Sequence, residues 1–362
     1  MLKPIHRVTC SPALAACQQL MRRFALWLCD PQVSGVSITQ ANLRSSMGSA
    51  IEGDWLWLLL AGASGTKALL DKAKRIADLP PANKTELERW IQAVSALAQH
   101  FGPTPPAALP VAPPNQWGSQ DEHWKAFKAL MVAFYEDGLR GGLPYAANGA
   151  PTTDATLRVS YDQFVREFRD AHRLDPHPDA REVCVLCGGP LVLPAVDHWL
   201  AKTAFPLLAV CADNLLPICG ECNSAPQKGQ KDVHTNGLFS DWFHPYLRHA
   251  NGGIRLRYDD AALRVLVESN TQADSSKVQN LDKLLNLGER WTREFKAEYR
   301  RLHRELLQFK DCSNPQPSAE QLASRIREYK ERLSDKEPNF EINLEVAEAF
   351  LIPARLQAIV TE

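Results

Sequence analysis

Apolar positions recur at helical spacing through most of the first hundred residues. Ser11 and Pro12 read as a helix start, serine as the cap and proline in the first turn. Leu14, Cys17, Met21, Phe24 and Leu28 follow at intervals of three and four. Asp54 to Leu60 and Leu87 to Phe101 carry further helical cores. Pro103, Pro105, Pro106, Pro110, Pro113 and Pro114 then stop the pattern. They predict an extended linker over 103–118, which closes a helical N-terminal domain at 1–102.

Helical spacing resumes at Ser119. Ser119 and Glu122 match a capping box, Trp124, Phe127, Met131 and Phe134 share a face, and Gly138 reads as the C-cap. Ser160 with Gln163 starts a short helix that turns Phe164 and Phe168 inward, so 119–180 is a helical segment. Over 181–250 the helical period gives way to cysteines, turn residues and short β-like pieces. From about Lys277 it returns: Trp291, Phe295, Leu302, Leu306 and Phe309 make one stripe. Ser318 and Gln321 cap a helix with Leu322, Ile326, Tyr329 and Leu333. The region 251–362 is therefore expected to be helical. The fold class that results is mainly α, with helical N- and C-terminal regions around a small module of another kind.

A length of 362 residues suits two or three domains. Lys and Arg number 41 against 42 Asp and Glu, a net charge of −1. Nucleic-acid binding would thus need positive charge gathered in one place. Arg293, Lys296, Arg300 and Arg304 share a helical face, but Glu294, Glu298 and Glu305 are interleaved, and a solvated helix surface fits as well. The most apolar run, Trp55 to Ala61, is far short of the roughly 20 residues that span a bilayer. Arg22 and Arg23 interrupt the one signal-like segment. These features point to a cytoplasmic chain whose nine cysteines are thiols.

Four of those cysteines form two pairs, Cys184-x-x-Cys187 and Cys219-x-x-Cys222. Two residues between cysteines allow a tight turn that aims both sulfurs at one point, and two such turns supply a tetrahedral cage suited to zinc. Gly188, Gly189 and Gly220 are expected to give the turns their unusual backbone angles. Cys10, Cys17, Cys29, Cys211 and Cys312 lack this spacing and read as core residues.

Between the pairs an apolar strand ends in Asp197 and His198, and a second begins after Asn214 with Leu215, Leu216 and Pro217. Asn223 follows the last cysteine, and Lys228 and Lys231 follow it. On Cys184, Cys187, Asp197, His198, Asn214, Leu215, Pro217, Cys219, Cys222 and Asn223 the chain resembles the HNH endonuclease family, also called ββα-metal or His-Me finger nucleases. The resemblance covers about fifty residues. It implies a hairpin and helix around one divalent ion, usually Mg²⁺, with zinc knuckles bracing the site from outside.

The resemblance also implies roles. Asp197 would be a metal ligand, His198 the general base, and Asn214 the residue that orients the histidine through backbone contacts. Asn223, where other members carry His, would be the second ligand, and Lys228 or Lys231 would lie near the scissile phosphate. The chemistry is consistent. Oxygen donors suit a hard cation and thiolates suit zinc, and a neutral imidazole can activate water near pH 7. Two positions depart from the family pattern: Ala201 stands where Pro is frequent, and Ser224-Ala225-Pro226-Gln227 stands where Lys soon follows the Cys-Asn pair.

The implied activity is hydrolysis of DNA. By analogy with stand-alone HNH proteins of bacterial antiphage systems, the large helical flanks imply control by a partner such as an ATPase, or by a homo-oligomer. The competing reading is a non-catalytic zinc-stabilised module that binds nucleic acid or protein. His244 lies in an aromatic cluster, Trp242 to Tyr246, and reads as a packed histidine, with a place at the metal site as the lesser option.

Overall fold

The helical periods of the first hundred residues become five helices: α1 (Ser11–Cys29), α2 (Gln40–Ser46), α3 (Ala50–Ala61), α4 (Leu69–Ala77) and α5 (Pro81–Ser95). The computed structural model describes residues 3–62, 68–177, 179–250, 252–313 and 315–362. All five periodic residues of α1, from Leu14 to Leu28, are fully buried. Its cap is Cys10 rather than Ser11, and Pro12 sits in the first turn, where a missing N–H costs nothing. The Cys10 N–H donates instead to the Glu167 carboxylate.

The Pro-rich stretch contains a single 3-10 turn, Pro114–Gln116, and is laid along the N-terminal helices. Trp90 Nε1 donates to the Ala112 carbonyl, and the Leu109 N–H donates to the Gly237 carbonyl. Gly237 has φ +79°, and a Cβ there would stand 2.2 Å from the Leu109 oxygen, so only glycine fits.

Helix α6 (Glu122–Ala133) is capped by Asp121, whose carboxylate accepts from the His123 and Trp124 N–H groups. Ser119 is not the cap. The helix runs into a π-helical turn, Phe134–Leu139. Gly138 lies inside that turn and does not end the helix. A Cβ there would come 3.0 Å from the Trp55 ring, so its role is to admit that ring. Helix α7 (Tyr161–Ala171) has the expected Ser160 cap, with Phe164 and Phe168 buried.

Two short strands follow, β1 (Ala195–His198) and β2 (Leu215–Ile218), paired antiparallel with Asp197 opposite Leu216 and His198 opposite Leu215. Helix α8 (Gly220–Asn223) comes next. The region beyond 251 is not wholly helical: β3 (Ile254–Asp259) and β4 (Arg264–Ser269) form a hairpin. Ile254 and Leu256 alternate with Arg255 and Arg257, and the sheet packs on the helices that follow. These are α9 (Ser275–Leu285), α10 (Leu287–Cys312), α11 (Ala319–Arg332), α12 (Phe340–Phe350) and α13 (Pro353–Thr361). The capping box of Ser318 and Gln321 forms at α11. The described residues are thus mainly helical with two small two-stranded sheets, and their buried apolar side chains make one continuous core. Among the described residues no helix is long and apolar enough to cross a membrane.

Candidate functional site

The two cysteine pairs meet. Cys184, Cys187, Cys219 and Cys222 are all buried free thiols, and their sulfurs lie within 4.8 Å of one another. Cys187 and Cys219 Sγ are 3.8 Å apart. A tetrahedral zinc with bonds of about 2.3 Å requires sulfurs about 3.8 Å apart, so four thiolates here can hold that ion. Hydrogen bonds among the four sulfurs depress the Cys184 and Cys219 thiols and raise those of Cys187 and Cys222. Among the described residues this is the one group of three or more His, Cys, Asp or Glu close enough to share an ion.

Local backbone chemistry builds each turn. In the first, Gly188 adopts φ +72° and its N–H donates to the Cys184 carbonyl. In the second, Cys219 caps α8, and the Cys222 N–H donates to its sulfur. Neither Gly189 nor Gly220 has a positive φ, so of the three glycines only Gly188 is required by its backbone. Outward carbonyls of the first turn are each met by a distant segment. Lys3 N–H donates to Val185, Trp291 Nε1 to Cys187, and Asn339 N–H to Gly188.

One buried cation faces the sulfurs. Arg290, 5% exposed, donates to Cys222 Sγ at 3.3 Å and to Glu221 at 2.9 Å. Burial alone would lower its guanidinium, but the Cys222 and Cys187 sulfurs outweigh burial and raise it. A zinc ion with four thiolates carries two net negative charges, and Arg290 offsets part of them inside the protein.

The β1–β2 hairpin stands beside the cluster, with α8 packed on β1. Its connecting loop is closed by Asn214, which has no exposed surface. The Asn214 Oδ1 accepts from the Leu200 N–H at 2.7 Å, and Nδ2 donates to the Leu200 and Leu208 carbonyls at 3.0 and 3.1 Å. His198 ends β1 and is nearly buried. Its Nε2 meets the Ala209 carbonyl at 3.0 Å, and Tyr135 from the π-helical turn packs against the ring at a centroid distance of 4.6 Å. A carbonyl only accepts, so Nε2 carries the proton and Nδ1 keeps a lone pair. Burial, then the nearby Lys202 charge, pushes the imidazole down to about 3, which keeps it neutral at pH 7.

Asp197 is 5% exposed, and the ammonium beside it belongs to Lys228, which is fully buried. Lys228 Nζ donates to Asp197 Oδ1 at 3.1 Å and to the His198 carbonyl at 2.8 Å. It pairs with Oδ2 at 3.0 Å without aiming a hydrogen bond at it, which leaves Oδ2 a buried acceptor with no hydrogen bond. Burial holds the Asp197 carboxyl above the usual carboxylate range, against the pull of Lys228.

The remaining sequence candidates separate. Asn223 is the last residue of α8, half-buried, and its side-chain amide makes no hydrogen bond among the described residues. Lys228 is not on the surface where a phosphate contact would need it. Lys231 reaches the Leu284 carbonyl at the C-terminal end of α9, a place that favours a cation. His244 is a fully buried core residue. Its Nδ1 accepts from the Tyr246 and Leu247 N–H groups, and Phe101 packs on its ring.

Sequence reasoning missed Tyr135, Lys202 and Arg290. Lys202, part-exposed, is paired with Glu136 and lies over the Tyr135 ring beside His198. Its place four residues after His198 was the available signal. A scan against family models, a search of curated proteins and a search of solved structures each find no match to this chain.

Proposed function

We propose that this chain is a zinc-stapled hydrolase of nucleic-acid phosphodiester bonds, DNA first among them, with its reacting groups at the mouth of the β1–β2 hairpin. The observation that carries this reading is the Asp197–His198 pair. Consecutive residues of β1 carry a carboxylate oxygen without a hydrogen bond and an imidazole whose Nδ1 keeps a lone pair that can take a proton. Asp197 and Asn223 are hard oxygen donors and would hold the divalent cation, Mg²⁺ by that chemistry; the Oδ2 atom that receives no hydrogen bond supports the fit. When bound, such a cation neutralises charge that grows on the leaving oxygen.

The chain's own groups do the rest. Ala209 fixes the His198 tautomer, so Nδ1 accepts the proton of an attacking water. Asn214 keeps the loop that carries Ala209 closed. Lys202 is the cation beside His198 that retains exposed surface, and it offers a contact for a phosphate oxygen. Large helical flanks around so small a module support control by an ATPase or by a second copy of the chain, as in antiphage effectors, in the cytoplasm.

A second reading, a zinc-stabilised binding module without catalysis, draws on the burial of Asp197 and His198, 5% and 7% exposed. Plasmid cleavage with Mg²⁺ separates the two. Wild-type cutting that falls at least ~100-fold in His198→Ala, with zinc content unchanged, supports hydrolysis. Wild-type protein that cuts neither DNA nor RNA leaves only the binding module.

A further inference from the structure

A lysine with no exposed surface is rare in proteins and is tolerated only when its charge is met inside. Lys228 meets Asp197 Oδ1 and the His198 carbonyl, and its remaining side faces the Trp199 ring at 5.9 Å. The backbone locks it there: its N–H donates to the Cys222 carbonyl, and its own carbonyl accepts from the Lys231 N–H. The ammonium is therefore a fixed part of the site. It also belongs to the chain segment that leaves the second cysteine turn, so the turn that gathers sulfur for zinc aims this charge as well.

We propose that Lys228 is the resident counter-cation of the hairpin site and sets how tightly that site takes a divalent ion. This rests on the hydrolase reading above for the identity of the site, but not on its activity. With Lys228 in place, the Asp197 carboxylate is already neutralised through Oδ1, and the fold needs no divalent ion at this position. An incoming cation finds one oxygen of Asp197 without a hydrogen bond, Oδ2, which is buried and has a like charge 3.0 Å from it. Affinity is then weak, and the site fills only when a further ligand, such as the substrate's phosphate oxygens, completes it. Without the ammonium, the carboxylate is a buried anion with no partner, and a divalent ion then competes only with a proton to neutralise it.

The test is a Mn²⁺ titration of zinc-loaded protein without nucleic acid, read by calorimetry and by the shift in Tm. Mn²⁺ does not displace zinc from four thiolates. Wild type should bind Mn²⁺ weakly. Lys228→Met should bind at least about tenfold more tightly, because removing a like charge a few ångström away is worth more than that even at a protein's effective dielectric. Its Tm should rise with Mn²⁺ more than that of wild type. Lys228→Arg, which keeps the charge, should behave as wild type, and the double variant Lys228→Met with Asp197→Asn should lose the gain. If Lys228→Met is unfolded without Mn²⁺, Mn²⁺ should restore its far-UV spectrum. Equal Mn²⁺ affinity in Lys228→Met and wild type, or a variant that Mn²⁺ fails to refold, overturns the proposal. Loss of plasmid cleavage with the Mn²⁺ difference intact would count against the activity alone.

Discussion

The thiol cluster and the hairpin mouth face one electrostatic problem and solve it over different distances. Each buries an anion, and each has one buried cation against it, Arg290 for the sulfurs and Lys228 for Asp197. Arg290 comes from α10, 68 positions from the cysteine it touches, so the thiol cluster draws a remote helix into its environment. Lys228 comes from the loop just after α8, and the hairpin is otherwise closed by its own Asn214. The cluster thus takes its counter-cation from a distant helix, whereas the mouth takes its own from the next loop, with Tyr135 and Tyr246 packed on it from outside.

Deleting the internal brace of the hairpin should have the largest effect. Asn214→Ala removes three hydrogen bonds and leaves the Leu200 N–H and carbonyl without partners, while the Leu208 carbonyl keeps the Cys211 N–H; at roughly 1 kcal/mol each the loss is about 3 kcal/mol. Denaturant unfolding measures it, and an unchanged midpoint would mean that the loop does not depend on Asn214. The external brace comes next. Arg290→Met should weaken zinc retention about 10- to 100-fold against a chelating dye, the usual cost of losing a group that supports a metal ligand. If zinc is held as in wild type, the long reach of the cluster is only packing.

Acid gives the most graded contrast. His244 braces the hairpin side, since Tyr246 in the same turn donates its hydroxyl to the Leu215 carbonyl on β2. Burial holds His244 down to about 3 in the folded chain, against an ordinary value of 6.5. Its folded value is the lower one, so its contribution is complete above pH 6.5 and is lost as pH falls toward 3. The loss approaches about 1.4 kcal/mol per pH unit within that window. With zinc in excess, Tm should fall between pH 7 and 5, and less steeply in His244→Asn, which keeps an acceptor without titrating. Identical slopes would remove His244 from the account.

The thiol cluster was legible because four cysteines at two-residue spacing have few other uses; Asn214 stood out only through the family resemblance. The capping residues of α7 and α11 were legible for the same local reason. What escaped depends on tertiary partners. Lys228 sits among Gln227, Gly229 and Gln230 and reads as a solvated lysine; only Asp197, 31 positions earlier, makes its burial tolerable. Arg290 belongs to a face that looked like ordinary charged helix surface until Cys222 and Glu221 were brought to it. The β3–β4 hairpin did carry a signal, the alternation of Ile254, Arg255, Leu256 and Arg257, but the helical stripes that follow it dominated the reading.

The three carbonyls of the first cysteine turn have a consequence for the order of assembly. Val185, Cys187 and Gly188 find their donors at Lys3, Trp291 and Asn339, and Lys3 also pairs with Glu341, 338 positions away. A turn of a few residues thus closes some of the widest loops in the chain. Such closures are slow to form, because their ordering entropy is lost before any contact repays it. Cysteines 184 and 187 can bend and bind early, but the outer rim of their turn stays wet until the segment around 339 has been made and docked. The first part of this site to take shape is therefore among the last to be finished.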